Sequence, residues 1–421
     1  MTVLVLSPDY ASHYGPLAVL ARAAKLHGRR VVVATGLGLR ARVEADGFEW
    51  MNLQLGAGSN NGIVTETSAI GRFIAATSAG PMATIRCQAL EREHDLLWCP
   101  ERVGREIADL CDRLDPADVL VDHVSFGSTL AMYATGRPFV SLVPGHPSQL
   151  PVGAERYGIP PQWPLGLRPD SVELAGLEVL VDRVTAACTD RWNTTVATLA
   201  PGRDEVEDAF RVHGRRVLYN SIATIQEAGR LTQLPTDHRF VGPLVREEAL
   251  PHAMESWMDR SDGRPQVFVA LGTFLSYRSD VLANIAEALR LVGARAAIAL
   301  GATPEEALGP VPPDWVIAPR LPQVAMLRSA DIVIHHGGNN TVQEALASGA
   351  RQLVLPFSTD QFANAADLER VGIASVRSPN TTTSADLAQA VAEALDQPLP
   401  NAIPPNTVDE LVDALLDERT A

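Results

Sequence analysis

Short apolar runs recur along the chain, and most are followed by a stretch in which apolar positions return at helical spacing. Val3–Leu6 is a continuous apolar run of strand length. Leu17, Leu20, Ala21 and Ala24 then mark one face of a helix that Gly28 closes. Val31–Ala34, Val119–Val121 and Phe139–Val143 read as further strands, and Leu218–Ile222 reads as the last strand of this half. Strands that lack polar alternation and are interleaved with helices predict a parallel sheet covered on both faces. Residues 144–169 break the pattern with seven prolines, Tyr157 and Trp163, which predicts a binding loop or lid. A helix is expected from Val172 to Leu199.

From Phe240 to Pro265 the chain is turn-rich and charged, as a linker between domains is. The alternation then restarts, with strands expected at Gln266–Leu271, Ala296–Leu300, Trp315–Ala318, Asp331–His335 and Gln352–Leu355. A last helix is expected at Thr407–Leu416, after the proline-rich PLPNAIPP. The fold class expected is α/β, with two doubly wound Rossmann-like domains facing a cleft. Residues 1–242 form the first domain and residues 243–400 the second. Residues 401–421 form a helix that packs back on the first.

Composition narrows the function classes. The chain has 421 residues, a hydrophobic fraction of 46% and a formal net charge of −15. A surface that acidic repels nucleic acid and anionic lipid, so neither is an expected partner. The apolar start MTVLVLSP has no basic region before it and reads as a strand, and no apolar stretch is long enough for a membrane span. Cys87, Cys99, Cys111 and Cys188 show neither metal nor redox spacing. A cytoplasmic protein with reduced thiols is expected, and a homodimer is left open.

The densest chemical signal is RLPQVAMLRSADIVIHHGGNNTVQEALASGARQLVLPFSTDQ at 320–361. A strand ends in HGGNNT and a helix begins at once, which aims backbone N–H groups and a positive helix end at one point, as an anionic phosphate requires. Gly337 and Gly338 allow close backbone approach. His336 can donate to a phosphate oxygen, Asn340 and Thr341 suit an N-cap, and Glu344 can accept from a ribose hydroxyl. A plain capped helix with a Gly-Gly turn would show the same local pattern. His335, adjacent on the strand, points to the opposite face and reads as packing.

The pattern H-x-G-x-N-[ST]-x-x-E resembles the signature of family 1 nucleotide-sugar glycosyltransferases of GT-B fold, of the bacterial macrolide and natural-product kind. Here it is His336, Gly338, Asn340, Thr341 and Glu344, with Pro322-Gln323 before it and Asp360-Gln361 after it. VFVALGTF at 267–274 and VGP at 241–243 are similar to that family's diphosphate turn and linker. The resemblance implies that the first domain binds the acceptor and the second binds the donor. It also implies that His336, Gly338, Asn339, Asn340, Thr341 and Thr273 meet the diphosphate. Glu344 would hold the ribose, and Asp360 and Gln361 the sugar hydroxyls. Arg320, Leu321 and Gln323 would lie by the nucleoside, with Arg320 standing where many members carry a base-stacking Trp. A guanidinium can also stack on a flat base.

His13 lies in the loop after the first strand and Asp122 at the end of another, on the rim where open α/β sheets bind ligands. Together they could form a dyad in which Asp122 holds Nδ1–H and His13 Nε2 takes a proton. His123 is a rival neighbour for that role. The family shows a similar His and Asp, followed here by Pro16 and by Gly136-Arg137-Pro138 respectively. Phe73, Phe126, His146, Tyr157 and Trp163 are candidate acceptor walls or ordinary packing.

The expected reaction is inverting, metal-independent transfer of a hexose from a UDP- or dTDP-sugar to a hydroxyl of a hydrophobic small molecule. No cofactor beyond the donor is expected, and no Asp-x-Asp metal clamp occurs. A nicotinamide oxidoreductase would need G-x-G-x-x-G after the first strand, and that turn is absent. A nucleotide-sugar epimerase of the same architecture and a non-catalytic binding protein remain as alternatives.

Overall fold

The computed structural model describes residues 1–56, 67–260 and 262–416, with side chains 67–70, 92–95, 273 and 274 outside that description. Seven strands form the first sheet: β1 (Thr2–Leu6), β2 (Arg30–Thr35), β3 (Glu49–Asn52), β4 (Asp118–Asp122), β5 (Val140–Val143), β6 (Arg216–Tyr219) and β7 (His238–Phe240). Their order is β3-β2-β1-β4-β5-β6-β7, and all pairs are parallel. The second sheet holds β8 (Gln266–Ala270), β9 (Arg295–Ala299), β10 (Val316–Ala318), β11 (Ile332–His335), β12 (Arg351–Val354) and β13 (Ala374–Val376). It runs β10-β9-β8-β11-β12-β13, again parallel throughout.

The β-branched, fully buried interiors of β1, β2, β4 and β11 suit strands covered on both faces. Two apolar layers flank the first sheet. One joins Val3, Val5 and Val33 to helix Ala11–Leu26, and the other joins Leu4, Leu6 and Val121 to helix Pro100–Leu114. Helix Val408–Leu415 completes the first layer, with Leu411, Val412 and Leu415 buried beside Tyr14 and Leu17. The second sheet is covered in the same way by two apolar clusters, one centred on Ile298 and Ile334 and one on Trp257 and Phe268.

Two expectations need correction. The first sheet does not end at Leu218–Ile222, because the short edge strand β7 follows it and ends at Phe240, where the stretch read as linker begins. Strands β3 and β13 were not anticipated, since they are short, half-buried edges with mixed polarity. The proline-rich 144–169 segment, read as a binding loop or lid, reaches across to the second domain. Its Leu165 N–H donates to Glu369 of the second domain at 2.8 Å, and Trp163 packs on Phe362 with ring centroids 5.0 Å apart.

In each sheet the chain reverses its direction of winding beside the first strand, at β1/β4 and at β8/β11. Ligands of open α/β sheets bind outside the carboxyl ends at such points. The fold therefore nominates the turns after β1, β4, β8 and β11.

Candidate active site

Leaving β1, the chain turns at Ser7–Tyr10 into helix Ala11–Leu26, so His13 sits in the first helical turn rather than in a loop. Asp122 is the last residue of β4 and is wholly buried. Its Oδ2 lies 2.9 Å from His13 Nδ1, and its Oδ1 accepts from the Val124 N–H at 2.9 Å. The His13 side chain is 25% exposed. Burial is the largest single influence on this imidazole and pushes its pKa down. The charge and hydrogen bond of Asp122, aided by Asp360, outweigh burial, and the net pKa is raised. A carboxylate at Nδ1 leaves Nε2 as the basic nitrogen. His123 is no base: burial holds its pKa down at about 4, and its Nε2 bonds the Gln149 carbonyl at 3.1 Å. The ring of Tyr10, which the sequence reading passed over, stands 5.8 Å from that of His13.

Opposite, β11 runs into His336-Gly337-Gly338 and then helix Asn339–Ser348. Gly337 has φ +86°, and a Cβ there would lie 3.0 Å from the Gln361 carbonyl oxygen. A Cβ on Gly338 would come within 2.4 Å of His336 Nε2, and one on Gly272 within 2.9 Å of its Cε1. The His336 ring thus fits a slot lined by glycine backbone, between the turns after β8 and β11. Burial lowers its pKa to about 4 against the opposing pull of the Ala270 backbone, so it is neutral. His335 faces the other way, with Nε2 bonded to Gln352 Oε1 at 3.0 Å and Nδ1 accepting from Gly337 N–H at 3.1 Å. Asn364 donates to the Gly337 carbonyl at 2.9 Å. Both side chains hold the turn in shape.

Gly338 is the N-cap and no side chain caps this helix end. Asn340 and Thr341 therefore lie inside the first turn and not at the cap. Without a side-chain cap, the first N–H groups remain for a ligand. Thr341 Oγ1 accepts from Gln323 at 3.1 Å, and Gln323 also donates to Glu344. Glu344 is 9% exposed, and burial raises its pKa to about 7 against the opposing pull of Arg246 and Gln323.

Several expected donor contacts are otherwise engaged. Both amide hydrogens of Asn339 go to the first domain, to Pro144 O at 2.8 Å and Asn220 O at 2.7 Å. Asn340 donates to Ser12 O at 2.8 Å. Gln361 Oε1 caps its own helix by accepting from Phe357 and Ser358 N–H at 3.0 and 3.2 Å, which leaves only its amide nitrogen for a sugar. Asp360 is half-buried in the first turn of helix Thr359–Arg370, with its charge felt at His13. Arg320 is exposed, and Leu321 packs on the Trp257–Phe268 cluster. Thr273 lies in helix Gly272–Leu275, and its side chain is outside the described residues.

The five candidate acceptor residues fall in different places. Phe126 and Tyr157 are buried in one cluster with Phe210, on which Tyr157 stacks at 4.4 Å. Phe73 packs against the core of the second domain. His146 bonds Asp367 across the interface at 3.1 Å. His146 and Trp163 line a cavity of about 350 Å³ that none of the donor residues above lines.

A model of the UDP-glucoronosyl and UDP-glucosyl transferase family matches residues 232–403. The 4'-demethylrebeccamycin synthase of Lentzea aerocolonigenes is 27% identical over 421 residues, covering 94% of this chain and 92% of that protein. Over its C-terminal half the chain is thus similar to that transferase family, and over nearly its whole length to a curated synthase. With NDP-glycosyltransferase YjiC of Bacillus licheniformis it shares 29% identity over 155 residues, which is 37% of this chain and 39% of that relative. The chain thus spans about two-fifths of the length of that curated relative. Among solved structures, glycosyltransferase VinC in complex with dTDP superposes with a TM-score of 0.67 at 18% identity, covering 99% of each chain. In this GT-B fold the two switch points carry the His13–Asp122 pair on one rim and the Gly-Gly turn before helix Asn339–Ser348 on the other. Asn340 touches both.

Proposed function

We propose that the chain is an inverting glycosyltransferase. It moves a hexose from a UDP- or dTDP-sugar to a hydroxyl of a hydrophobic natural-product aglycone, as a cytoplasmic enzyme with no further cofactor. One observation carries this reading: the His13–Asp122 pair at 2.9 Å stands beside an uncapped helix end, joined to it by the Asn340–Ser12 bond at 2.8 Å. A base next to an anion cradle is what displacement at a glycosyl phosphate needs.

The acceptor hydroxyl loses its proton to His13 Nε2 as its oxygen bonds to the anomeric carbon. The bond from that carbon to the phosphate oxygen breaks with its electron pair. The first N–H groups of helix Asn339–Ser348 and neutral His336 receive the diphosphate charge. A single displacement inverts configuration. Glu344 accepts from the ribose, Asp360 and the Gln361 amide bind the sugar, and Arg320 lies by the base. VinC and a spinosyn rhamnosyltransferase were solved with thymidine diphosphate, which favours dTDP here.

The test is incubation with UDP-glucose, dTDP-glucose and dTDP-rhamnose against phenolic and macrolide aglycones, read by product mass and anomeric coupling. A glycoside of inverted configuration is expected. Interconversion of the donor with no glycoside would favour an epimerase and overturn the reading.

A further inference from the structure

Three asparagine side chains meet where the carboxyl ends of the two sheets face each other. Asn220, the residue after β6, is wholly buried. Its Oδ1 accepts from Leu244 N–H at 3.0 Å, just past the junction of the domains. Its Nδ2 lies 3.4 Å from Pro144 O and 3.5 Å from Asn340 Oδ1. Asn339 grips Pro144 O and the backbone carbonyl of Asn220 itself, as described above. Asn340 Nδ2 donates to Ser12 O, a contact across 328 residues of sequence that lands one residue before His13. An amide offers two donors and an acceptor without charge. It can therefore grasp backbone from the other domain without adding or cancelling charge beside a bound diphosphate.

We propose that Asn220, Asn339 and Asn340 form an interdomain latch, and that Asn340 is a positioning residue that sets His13 against the anion turn through the Ser12 carbonyl. The proposal rests on the transferase reading only for the identity of the two centres it joins. The Asn340 hydrogen bond is spent on domain register, so its loss disturbs the reaction geometry more than nucleotide affinity. A misplacement of about 1 Å can cost on the order of 10²-fold in rate.

The experiment uses the full chain as wild type, Asn340→Ala and Asn220→Ser. Three quantities are read: the Kd of UDP and dTDP by calorimetry, the kcat and KM of donor turnover, and the His13 titration by NMR of ¹³C-histidine, assigned with His13→Gln. For Asn340→Ala, nucleotide Kd should stay within about threefold while kcat falls about 10- to 100-fold. The His13 midpoint should move down towards the ordinary 6.5 as its alignment with Asp122 loosens. Asn220→Ser changes a side chain too buried to touch a ligand and should show the same signature more weakly. Should it fail to fold, Asn340→Ala decides alone.

A Kd weakened tenfold or more in Asn340→Ala, with His13 unmoved, would make Asn340 a phosphate contact and overturn the latch. Wild-type values in all three readouts would overturn it as well. Wild-type turnover of the donor with no glycoside formed would instead sink the transferase reading, and transfer surviving in His13→Gln would sink only the base role, with the calorimetric and NMR tests of the latch still standing.

Discussion

Replacing Asp122 by Asn changes almost no volume at a site with no solvent exposure, yet it reverses one hydrogen bond. Asp122 now accepts twice, from His13 Nδ1 and from Val124 N–H, each at 2.9 Å. An asparagine can accept at only one of its two terminal atoms. Turning its NH₂ towards Val124 would set two donors against each other in a buried place, at a cost of about 1–3 kcal/mol. The amide therefore keeps its oxygen on Val124 and donates to His13 Nδ1. The imidazole then carries its hydrogen on Nε2 and can no longer take a proton there. The expected loss is the whole general-base contribution, about 10²–10⁴-fold in kcat, or about 2.7–5.5 kcal/mol of barrier. The assay is initial nucleotide release with an active acceptor, followed from about pH 5.5 to 9. Wild-type activity should climb as pH rises through the raised His13 pKa, because only the neutral ring is a base, and the variant should lose that limb. Turnover within threefold of wild type on an unchanged pH limb would refute the dyad.

Other consequences are open to measurement. Glu344, with its pKa raised to about 7 by burial, accepts ribose hydroxyls best when ionised. Nucleotide binding should therefore tighten as pH rises through about 7 and release a proton near that pH; an unchanged proton count in Glu344→Gln by calorimetry would contradict this. Gly338→Ala puts a Cβ 2.4 Å from His336 Nε2 and must displace the ring. Nucleotide affinity should fall about tenfold, equivalent to about 1.4 kcal/mol, and an unchanged Kd would show that the slot is not part of the donor site. Leu415→Ala empties a fully buried position where the last helix meets the first domain. It should destabilise by about 2–5 kcal/mol in denaturant melts, and a loss under 1 kcal/mol would mean that the helix does not hold the core.

Much of the fold was legible because strands buried on both faces must be apolar, and β1, β2, β4 and β11 are. Edge strands β3, β7 and β13 escaped because half-buried edges carry mixed residues over only three or four positions. The Gly-Gly turn and the rim positions of His13 and Asp122 could be read because strand ends locate the rim. What long-range partners decide could not. Nothing near Asn339 in sequence announces that its amide belongs to Pro144 and Asn220. Gln361 looks like a sugar ligand until its capping of Phe357 and Ser358 is seen. Nor does the sequence say how the few aromatic residues, 5% of the chain, are shared out: Phe126 and Tyr157 go to a core cluster and Trp163 to the domain interface.

The most direct test of the central claim is a thermal-shift titration of the full chain and of Glu344→Ala with UDP, dTDP, GDP and NADH. A nucleotide at a hundred times its Kd should add about 2.7 kcal/mol of stability. The account predicts a shift of the wild-type melting curve with dTDP or UDP, none with NADH, and a much reduced shift in the variant. A shift with NADH alone, or none with any nucleotide, would contradict it.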